Sequence, residues 1–410
     1  MIRISRYPIM SGDVEFVTTE FDIFAHKPVQ TAILETNVVH YTPIATVDQN
    51  DLEFLIPGDN ETYIDLDIKL YVKGKLIGVD GKDLDATDFT AGTNNFLHSL
   101  FNQCSISLNG VNITPASELY SYRSYLEALL TYGSDAANSN LTNAYWYLDE
   151  GDVLAGDPTS TSIKNKGFIK IWERQKQSKG TELYGRLYAD ICNVPQFLLS
   201  GVRVQIRLTK AKDDFYLINP NTDTKVKAAF KFLGAELIVR RIRPSPKISI
   251  AHNEAPSKGF LARYNLTRVE LKTFTFAGGP EALSINNAVL RVLPKSLIFT
   301  MVKNTSFLGS RDTNTYNLRH YDQTNFNMYV EGKQIPSESL SLNMGHEKTS
   351  VRGYATLFED TGIHHSNSGL QITHDMYING FFMISHDLTP DLAASEGHAS
   401  PLQVAISGSI

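Results

Sequence analysis

The sequence has few of the residues that could form disulfide bonds. Its 410 residues include two cysteines, Cys104 and Cys192, and two tryptophans. Each cysteine lies next to an apolar run and neither belongs to a Cys-x-x-Cys pair, which favours two buried free thiols over a disulfide. We therefore expect the chain to fold in a reducing compartment, either the cytosol or the nucleus.

Long hydrophobic runs and catalytic signatures are missing as well. No apolar run approaches the roughly 18 residues of a membrane-spanning helix, and the N-terminal sequence is too polar for a signal peptide. The sequence has no phosphate-binding loop and no His-Glu-x-x-His, Gly-x-Ser-x-Gly or Cys-x-x-Cys motif. These absences predict a protein without a membrane span, cofactor, metal or catalytic residues, and therefore not an enzyme.

The histidines do not form a recognisable metal site. A metal site on a β-strand needs His-x-His, so that both imidazoles face the same side, with a carboxylate and a third histidine nearby. His364 and His365 are adjacent instead, in a loop-like stretch upstream of His374 and His386. We interpret the pair as exposed loop histidines, and a cupin-like metalloenzyme stays a minor alternative.

The overall charge excludes a molecule that attracts nucleic acid over its whole surface, because the net charge is −6. Two local clusters are nevertheless basic. We interpret them as a solvated loop and a linker, with contact to nucleic acid or an acidic partner as the alternative. The clusters are Lys164, Lys166, Lys170, Arg174, Lys176 and Lys179, and then Arg240, Arg241, Arg243 and Lys247.

What the sequence does contain is a well-packed, strand-rich pattern. Apolar residues make up 42% of the chain, and its length suits two domains of about 200 residues each. From Tyr63 to Val72 apolar and polar residues alternate, which predicts a strand of an antiparallel sheet with one buried face. Further strands are predicted at 38–44, 52–56, 167–172, 183–191, 202–208, 230–243, 266–276, 289–302, 325–330 and 377–385.

The stretch from Phe96 to Gly133 interrupts this pattern with a helix. Asn109-Gly110 follows a short strand and predicts a type I′ hairpin. A helical stripe of Leu119, Tyr122, Leu126, Leu129 and Leu130 comes next. Ser117 is placed as its N-cap and Gly133 as its left-handed C-terminal residue. The polar residues 134–165 that follow are too many for a passive turn, so they predict a surface excursion or an intersubunit contact.

The second half of the sequence repeats this plan. Gly332 closes a strand 222 residues after Gly110, and Val351, Tyr354, Leu357 and Phe358 then form a second helical stripe. The repeat predicts an all-β fold of two tandem jelly-roll β-sandwiches with short inserted helices. The predicted parts are an N-terminal arm (1–30), a first jelly roll (31–243), and a second jelly roll with a C-terminal tail (244–410), with a linker at Pro244 and Pro246.

Several segments, in order, resemble the double jelly-roll major capsid proteins of Polinton/Maverick elements and adintoviruses, within the hexon-like group. They include LEFLIPGDNETYIDLDIKLYVKGKLI, FLHSLFNQCSISLNGVNITPASELYSYRSYLEALLTYG and residues 188–218 of the first half. In the second half they include residues 264–310, FNMYVEGKQIPSE and VRGYATLF. The resemblance covers most of residues 35–390.

The resemblance implies a virion structural protein with two jelly rolls side by side. Three chains would form a homotrimeric, pseudo-hexagonal capsomer, and many capsomers an icosahedral shell around double-stranded DNA. The implied partners are neighbouring capsomers, minor capsid (penton) proteins and cement proteins, and a local basic inner face could touch packaged DNA weakly. The chain would be made in the host cytoplasm and assembled there or in the nucleus.

Five residues are the candidates for contacts between such subunits: Tyr120, Arg123, Tyr145, Trp146 and Tyr147. Aromatic side chains bury a large area at low entropic cost, although for any one of them a place in the core is the favoured interpretation. The inserted helices should pack on the sandwich edge with Tyr120 and Arg123 facing outward. The alternative function is a ligand- or carbohydrate-binding β-sandwich, for which Trp146 and Trp172 are the only tryptophans available for stacking on sugars.

Overall fold

A computed structural model describes residues 29–45, 51–114, 117–149, 165–220, 227–278, 282–344, 349–361, 369–389 and 403–409. Several predicted features lie outside these residues. They are nearly all of the N-terminal arm, residues 150–164 of the polar excursion including Lys164, the His364–His365 pair, and residues 390–402 of the C-terminal tail.

Residues 29–244, called the first half, contain eleven described strands and five described helices. In chain order they are β1 (Ile33–Tyr41), β2 (Asp51–Ile56), β3 (Tyr63–Ile64), β4 (Lys69–Gly78), β5 (Ala91–Gly92), α1 (Phe96–Ser99), β6 (Phe101–Leu108), β7 (Val111–Asn112), α2 (Tyr120–Thr131), α3 (Ser134–Ala137), α4 (Lys166–Gln175), β8 (Thr181–Arg186), β9 (Val204–Lys210), α5 (Asp213–Tyr216), β10 (Leu217–Ile218) and β11 (Ala228–Pro244). Short 3₁₀ turns cover Asn140–Ala144, Lys176–Ser178 and Asp190–Asn193.

The second half, residues 245–409, contains fewer and shorter elements. They are α6 (Pro246–Glu254), a 3₁₀ turn (Pro256–Lys258), β12 (Ser284–Val292), β13 (Ser296–Phe299), α7 (Asn304–Leu308), β14 (Asn325–Val330), β15 (Lys333–Gln334), β16 (Leu340–Ser341), α8 (Val351–Asp360), α9 (His374–Ile378), β17 (Ile384–Asp387) and β18 (Gln403–Ser409). No helix in the described part of the chain is long and apolar enough to cross a membrane.

Each half builds its own antiparallel sheets. In the first half one sheet has the order β1-β11-β4-β8, with β3 also on β11, and a second sheet has the order β2-β9-β6-β7. In the second half the order is β12-β18-β14-β15, with β16 also on β14, while β13 pairs with β17. Every strand ladder between the described strands joins two members of the same half.

The alternation of apolar and polar residues predicted over 63–72 is confirmed by the burial of the apolar side chains. Ile64, Leu66, Ile68, Leu70 and Val72 are all buried, although the ladder is broken between β3 and β4. This periodicity of two puts every second side chain into the sandwich. The first-half core therefore comes directly from the pattern in the sequence.

The two predicted glycine turns share one backbone conformation. Asn109 and Gly110 have φ values of 49° and 84°, and Glu331 and Gly332 have 49° and 79°. Two successive positive φ angles define the type I′ turn, which matches the right-handed twist of the strands that it joins. The hairpin prediction at Asn109-Gly110 is confirmed, and the echo 222 residues later has the same geometry.

The helix ends differ from the predicted ones. α2 starts at Tyr120, and Leu119 precedes it without a side-chain capping bond, so Ser117 is not the N-cap. Gly133 is extended, with φ at −82°, and it precedes α3 instead of closing α2 in the left-handed region. α2 instead ends in an extended Tyr132, whose N–H bonds the carbonyl of Ala128.

Three predicted strands are wrong. Residues 167–172 lie in α4, where Asn165 caps the helix by accepting a bond from the N–H of Phe168. Residues 266–276 have no regular secondary structure and join no described strand ladder. Within 377–385 only the last two residues are in a strand, because α9 occupies the start of the range. The Pro244–Pro246 linker is also short, since Pro246 opens α6 at its first turn.

Candidate assembly interface

The helix α2 lies between the two halves of the chain. The Tyr122 hydroxyl donates to the carbonyl of Thr315 at 2.9 Å, and its ring stacks on Phe307 with centroids 5.4 Å apart. The ring of Tyr125 stacks on Tyr316 at 4.1 Å and an interplanar angle of 3°. The aromatic face of a first-half helix is therefore covered by residues of the second half.

A single glutamine extends this contact. The Trp146 indole donates to Oε1 of Gln371 at 2.7 Å. The Nε2 of Gln371 donates in turn to the carbonyls of Ala128 and Tyr132, at 3.1 and 2.9 Å. The Ala128 carbonyl already accepts from the N–H of Tyr132, the residue that follows α2, so Gln371 adds further donors at the C-terminal end of the helix. We call this contact surface the seam; its residues are Tyr122, Tyr125, Trp146, Phe307, Tyr316 and Gln371.

The prediction that Tyr120 and Arg123 face outward is wrong, because both side chains are buried. The Tyr120 hydroxyl bonds Nδ1 of His98 at 3.0 Å, and burial raises the pKa of this phenol well above its usual value. Arg123 pairs with the buried Asp190 at 2.6 Å and with Glu127 at 3.4 Å. A guanidinium with two carboxylates of its own chain stays inside, because the pair offsets the desolvation cost.

Tyr145 and Trp146 are also buried, whereas Tyr147 is half-buried. Tyr145 stacks on Phe96, and Arg174 lies 5.7 Å from the ring centres of both Tyr145 and Tyr147. Of the five candidates, Tyr147 is the one whose side chain is partly exposed and could contact a neighbouring subunit. Its role in such a contact stays a prediction.

Sequence reasoning missed the second-half members of the seam. Tyr316 and Gln371 stand singly in polar stretches, without periodicity. Only the clustering of aromatics in 120–147 signalled that a large apolar surface needs a partner. That signal does not tell whether the partner is another subunit or a distant part of the same chain.

Exposed apolar side chains gather on two other features. Among the described strands β1 pairs with β11 alone, and most of its residues are exposed, including Leu34 and Val38. The second feature is the stretch 260–276, which has no regular secondary structure and which we call the apolar strap. Its exposed large side chains are Phe260, Leu261, Leu266, Val269, Phe274 and Phe276.

The apolar strap is attached to the first half by polar contacts. The Tyr264 hydroxyl accepts from the N–H of Leu199 and donates to the carbonyl of Phe197. The N–H of Val269 donates to Asp190 at 3.3 Å. Between the strap and α2 lies a cavity of about 180 Å³, whose lining includes Tyr120 and Arg123. An unpaired apolar segment held in this way is a candidate for contact with another chain.

The two basic clusters differ in how their charge is compensated. Arg240 pairs with Asp65, Arg241 with Asp59, and Arg243 with both Glu35 and Glu61. These three arginines are thus paired with carboxylates of the first half, and they lie in β11, so the interpretation of this cluster as a linker is wrong for them. On α4, by contrast, Lys170 and Arg174 lie over tyrosine rings and have no ion pair within the described residues.

The described residues offer little to a metal or a sugar. They contain no group of three or more histidine, cysteine or carboxylate side chains that could hold a metal ion. His374 bonds Ser350 at 2.9 Å, and His386 is stacked on Phe326. Trp146 and Trp172 are 1% and 4% exposed, so neither indole is free to stack on a carbohydrate.

The cysteine prediction is confirmed, because Cys104 and Cys192 are both free and buried. Burial raises the pKa of the Cys192 thiol to about 12 and that of Cys104 further. Both thiols therefore stay protonated and unreactive at neutral pH.

Comparison with solved structures identifies the architecture. The chain aligns with the cryo-EM structure of the Sputnik virophage at a TM-score of 0.56 and 10% identity, over 99% of this chain and 87% of that one. It aligns with PBCV-1 VP54, fitted into a Sputnik reconstruction, at a TM-score of 0.58 and 11% identity, over 94% of this chain and 86% of that one. For the faustovirus major capsid protein the TM-score is 0.51 and the identity 8%, over 97% of this chain and 88% of that one.

The chain has the double jelly-roll fold. The predicted fold class is confirmed, and its structural neighbours are viral major capsid proteins. No family model matches the sequence. A curated relative, the uncharacterized protein F54H12.2 of Caenorhabditis elegans, is 24% identical over 319 residues, which are 76% of this chain and 73% of that protein.

Proposed function

We propose that this double jelly-roll protein is the major capsid subunit of a DNA virus or virus-like element, and that its work is self-assembly without catalysis. One observation carries the proposal. The alignment covers 99% of this chain and 87% of a Sputnik virophage chain, so nearly a whole capsid-protein chain has its counterpart here. A fold alone does not fix a function, and the exposed apolar surface supplies the second support.

The proposed assembly is a homotrimer. Three chains with two jelly rolls each make a ring of six similar sandwiches, and such a pseudo-hexagonal block tiles a closed icosahedral shell. The first jelly roll would end near residue 243, as the sheet pairing supports. Neighbouring capsomers, penton and cement proteins are the proposed partners, and double-stranded DNA is the proposed content.

The surfaces proposed for assembly are the apolar strap and β1, not α2. Leu261 in the strap is 76% exposed and Phe260 is 67% exposed. Burying apolar area of this kind contributes about 25 cal/mol per Å². The edge of β1 that pairs with no other described strand adds backbone donors and acceptors, which a strand of a neighbour would satisfy.

We further propose an origin in a Polinton/Maverick-type element rather than in a free virus. The sequence segments that resemble that group support this placement, and so does the curated relative, which comes from a nematode. The proposed location is the virion capsid, after synthesis in the host cytoplasm.

The test measures the mass of the purified protein by light scattering coupled to size exclusion, together with electron microscopy. We expect trimers of the 45.7 kDa chain. Leu261→Glu should shift the population to monomers, because it buries a charge if the strap is covered. Val79→Glu is the matched control, since Val79 is 70% exposed but lies in a first-half turn away from the strap.

A strictly monomeric wild type at every concentration and ionic strength would contradict the capsid proposal. A trimer that Leu261→Glu leaves intact would contradict only the role of the strap. Circular dichroism of both variants distinguishes lost assembly from lost folding.

A further inference from the structure

A pocket in the second half has the chemistry of an oxyanion site. Its volume is about 220 Å³, enough for several waters or one tetrahedral anion. The lining consists of two cationic side chains, three hydroxyls and one carboxamide, and none of these described residues carries a carboxylate. They are Lys303, Ser306, Thr313, Asn317, Arg319 and Tyr321.

The backbone explains why the polar groups converge. Val302 and Leu318 form an isolated antiparallel bridge, and the N–H of Arg319 bonds the carbonyl of Met301 at 3.0 Å. Lys303 therefore lies opposite Asn317, and Arg319 follows two residues later on the same face. Leu318 points the other way and is buried.

The inner wall of the pocket comes from α7, which starts immediately after Lys303. Ser306 is buried and donates its hydroxyl to Oγ1 of Thr313 at 2.9 Å. The Thr313 hydroxyl accepts this bond and keeps its own proton to donate. Asn317 is buried as well and presents a carboxamide that can donate two hydrogen bonds.

The charge on this pocket is not compensated within the described residues. Neither Lys303 nor Arg319 forms an ion pair there, although the neighbouring His320 lies 3.6 Å from Asp322. At the rim, Tyr321 and Asp322 have φ values of 46° and 55°, a conformation that non-glycine residues adopt at an energetic cost. An anion bound in the pocket would be attracted by both positive charges.

We propose that this pocket binds a phosphate-class oxyanion. Lys303 and Arg319 supply charge-assisted hydrogen bonds from the rim, and Thr313 and Asn317 donate from the inner wall. The anion is either a free inorganic phosphate or a phosphate group of a nucleic acid strand. The proposal does not rest on the assembly function.

The position of the pocket gives the anion a structural effect. Phe307, which follows the buried Ser306, stacks on Tyr122 of α2. Tyr316, which precedes Asn317, stacks on Tyr125. An anion that fixes Ser306, Thr313 and Asn317 therefore stabilises the second-half side of the seam.

The first experiment titrates the full chain with sodium phosphate, against sodium chloride at equal ionic strength, and follows thermal unfolding. We expect the midpoint to rise by about 2 °C or more at saturation. Lys303→Gln and Arg319→Gln should weaken phosphate affinity roughly tenfold each. Lys333→Gln is the matched control, because Lys333 is an exposed second-half cation outside the pocket. An equal rise in all three variants, or no rise in the wild type, would overturn the site.

The second experiment identifies the source of the anion with a fluorescent DNA duplex, read by anisotropy. If phosphate competes with the duplex and both pocket variants bind DNA more weakly than Lys333→Gln, the site serves a nucleic acid. Phosphate binding without DNA binding assigns it to a free ion. Binding of DNA that is equal in all variants and insensitive to phosphate would contradict a role of the pocket in DNA contact. Circular dichroism verifies that each variant is folded.

Discussion

The helices α2 and α8 follow equivalent hairpin turns, but they pack against different parts of the chain. In α2, eight of twelve residues are buried, and its aromatic side chains meet the second half at the seam. In α8, four of ten residues are buried, and the helix packs on β17 of its own half. Two helices at equivalent positions of the repeat therefore need not make equivalent contacts.

The difference can be traced to side-chain chemistry. α2 carries Tyr120, Tyr122 and Tyr125, whose rings are apolar and whose hydroxyls need hydrogen-bond partners when buried. α8 is amphipathic, with Leu357 inside and Val351 exposed. A helix that is apolar on several faces must be covered from several sides, whereas an amphipathic one needs a single partner.

The largest effect is expected from truncating the seam. Tyr125→Ala removes a fully buried ring and its stack on Tyr316, which should lower the free energy of unfolding by about 3–5 kcal/mol. Tyr354→Ala on α8 is the comparison; it removes a half-buried ring and should cost roughly half as much. Urea denaturation measures both. If both variants lost the same free energy of unfolding, the seam would contribute no more to stability than the contacts of α8.

The buried charge on α2 should have the next largest effect. Arg123→Met leaves Asp190 buried without its cation, which should destabilise the protein by about 3 kcal/mol. Glu127→Gln, which alters only the 3.4 Å contact, should cost less than about 1 kcal/mol. A harmless Arg123→Met would contradict the buried ion pair and restore the outward-facing interpretation.

The buried Asp149 makes the first half sensitive to pH. Burial raises its pKa to about 7, against bonds from Asn314 and Asn165 that lower it. Between about pH 4 and 7 the native carboxyl keeps a proton that the unfolded one has lost, so stability falls as pH rises through this window. Asp149→Asn should remove the contribution of this residue to the fall and leave the variant more stable than the wild type at pH 8, by on the order of 2 kcal/mol.

Asp360 at the end of α8 provides the matched comparison. Burial raises its pKa too, while hydroxyls of Ser385 and Ser296 oppose the rise. Asp360→Asn should therefore weaken the same downward slope of stability with pH. Unfolding midpoints of the wild type and both variants, measured at pH 5 and pH 8, check these predictions. A wild type whose stability does not change between pH 5 and pH 8 would contradict both predictions.

The smallest effect is expected on the open side of α8. Val351 is 64% exposed in the first turn, so Val351→Gln should change the free energy of unfolding by less than about 0.5 kcal/mol. Leu129→Ala in the buried face of α2 should cost about 2–5 kcal/mol in the same assay. A large loss for Val351→Gln would mean that α8 is covered in solution by another copy.

Much of the first jelly roll could be predicted from periodicity, because strands such as β2 and β4 alternate between buried and less buried residues. β9 and β11 coincide closely with the predicted ranges 202–208 and 230–243. β14 matches 325–330 to the residue. Where one face of a strand is buried, a period of two leaves little ambiguity.

The sequence of α4 predicts a strand wrongly because Phe168 to Trp172 form a short apolar run, interrupted only by Lys170. Over a longer window Phe168, Ile171, Trp172 and Gln175 are buried, a spacing of three and four. The Asn165 cap is the signal that distinguishes the helix. A five-residue apolar run does not decide between helix and strand without its flanks.

The candidate interface could be predicted only in part. The aromatic cluster of residues 120–147 does form an interface, but between the two halves of one chain. Sequence proximity carries no information on contacts that span some 200 residues, such as Tyr125 with Tyr316. The exposed strap was found by the structure, since its pattern predicts a strand and the unpaired state depends on the tertiary fold.

The seam also has a consequence for the time course of synthesis. The Trp146 indole bonds a glutamine that is translated 225 residues later. At roughly 5–20 residues per second, the ribosome needs about 10–45 s to supply that residue. Throughout this interval the nascent first jelly roll lacks the second-half residues that cover its tyrosines and Trp146, so a chaperone that shelters aromatic surface would have its binding site on α2.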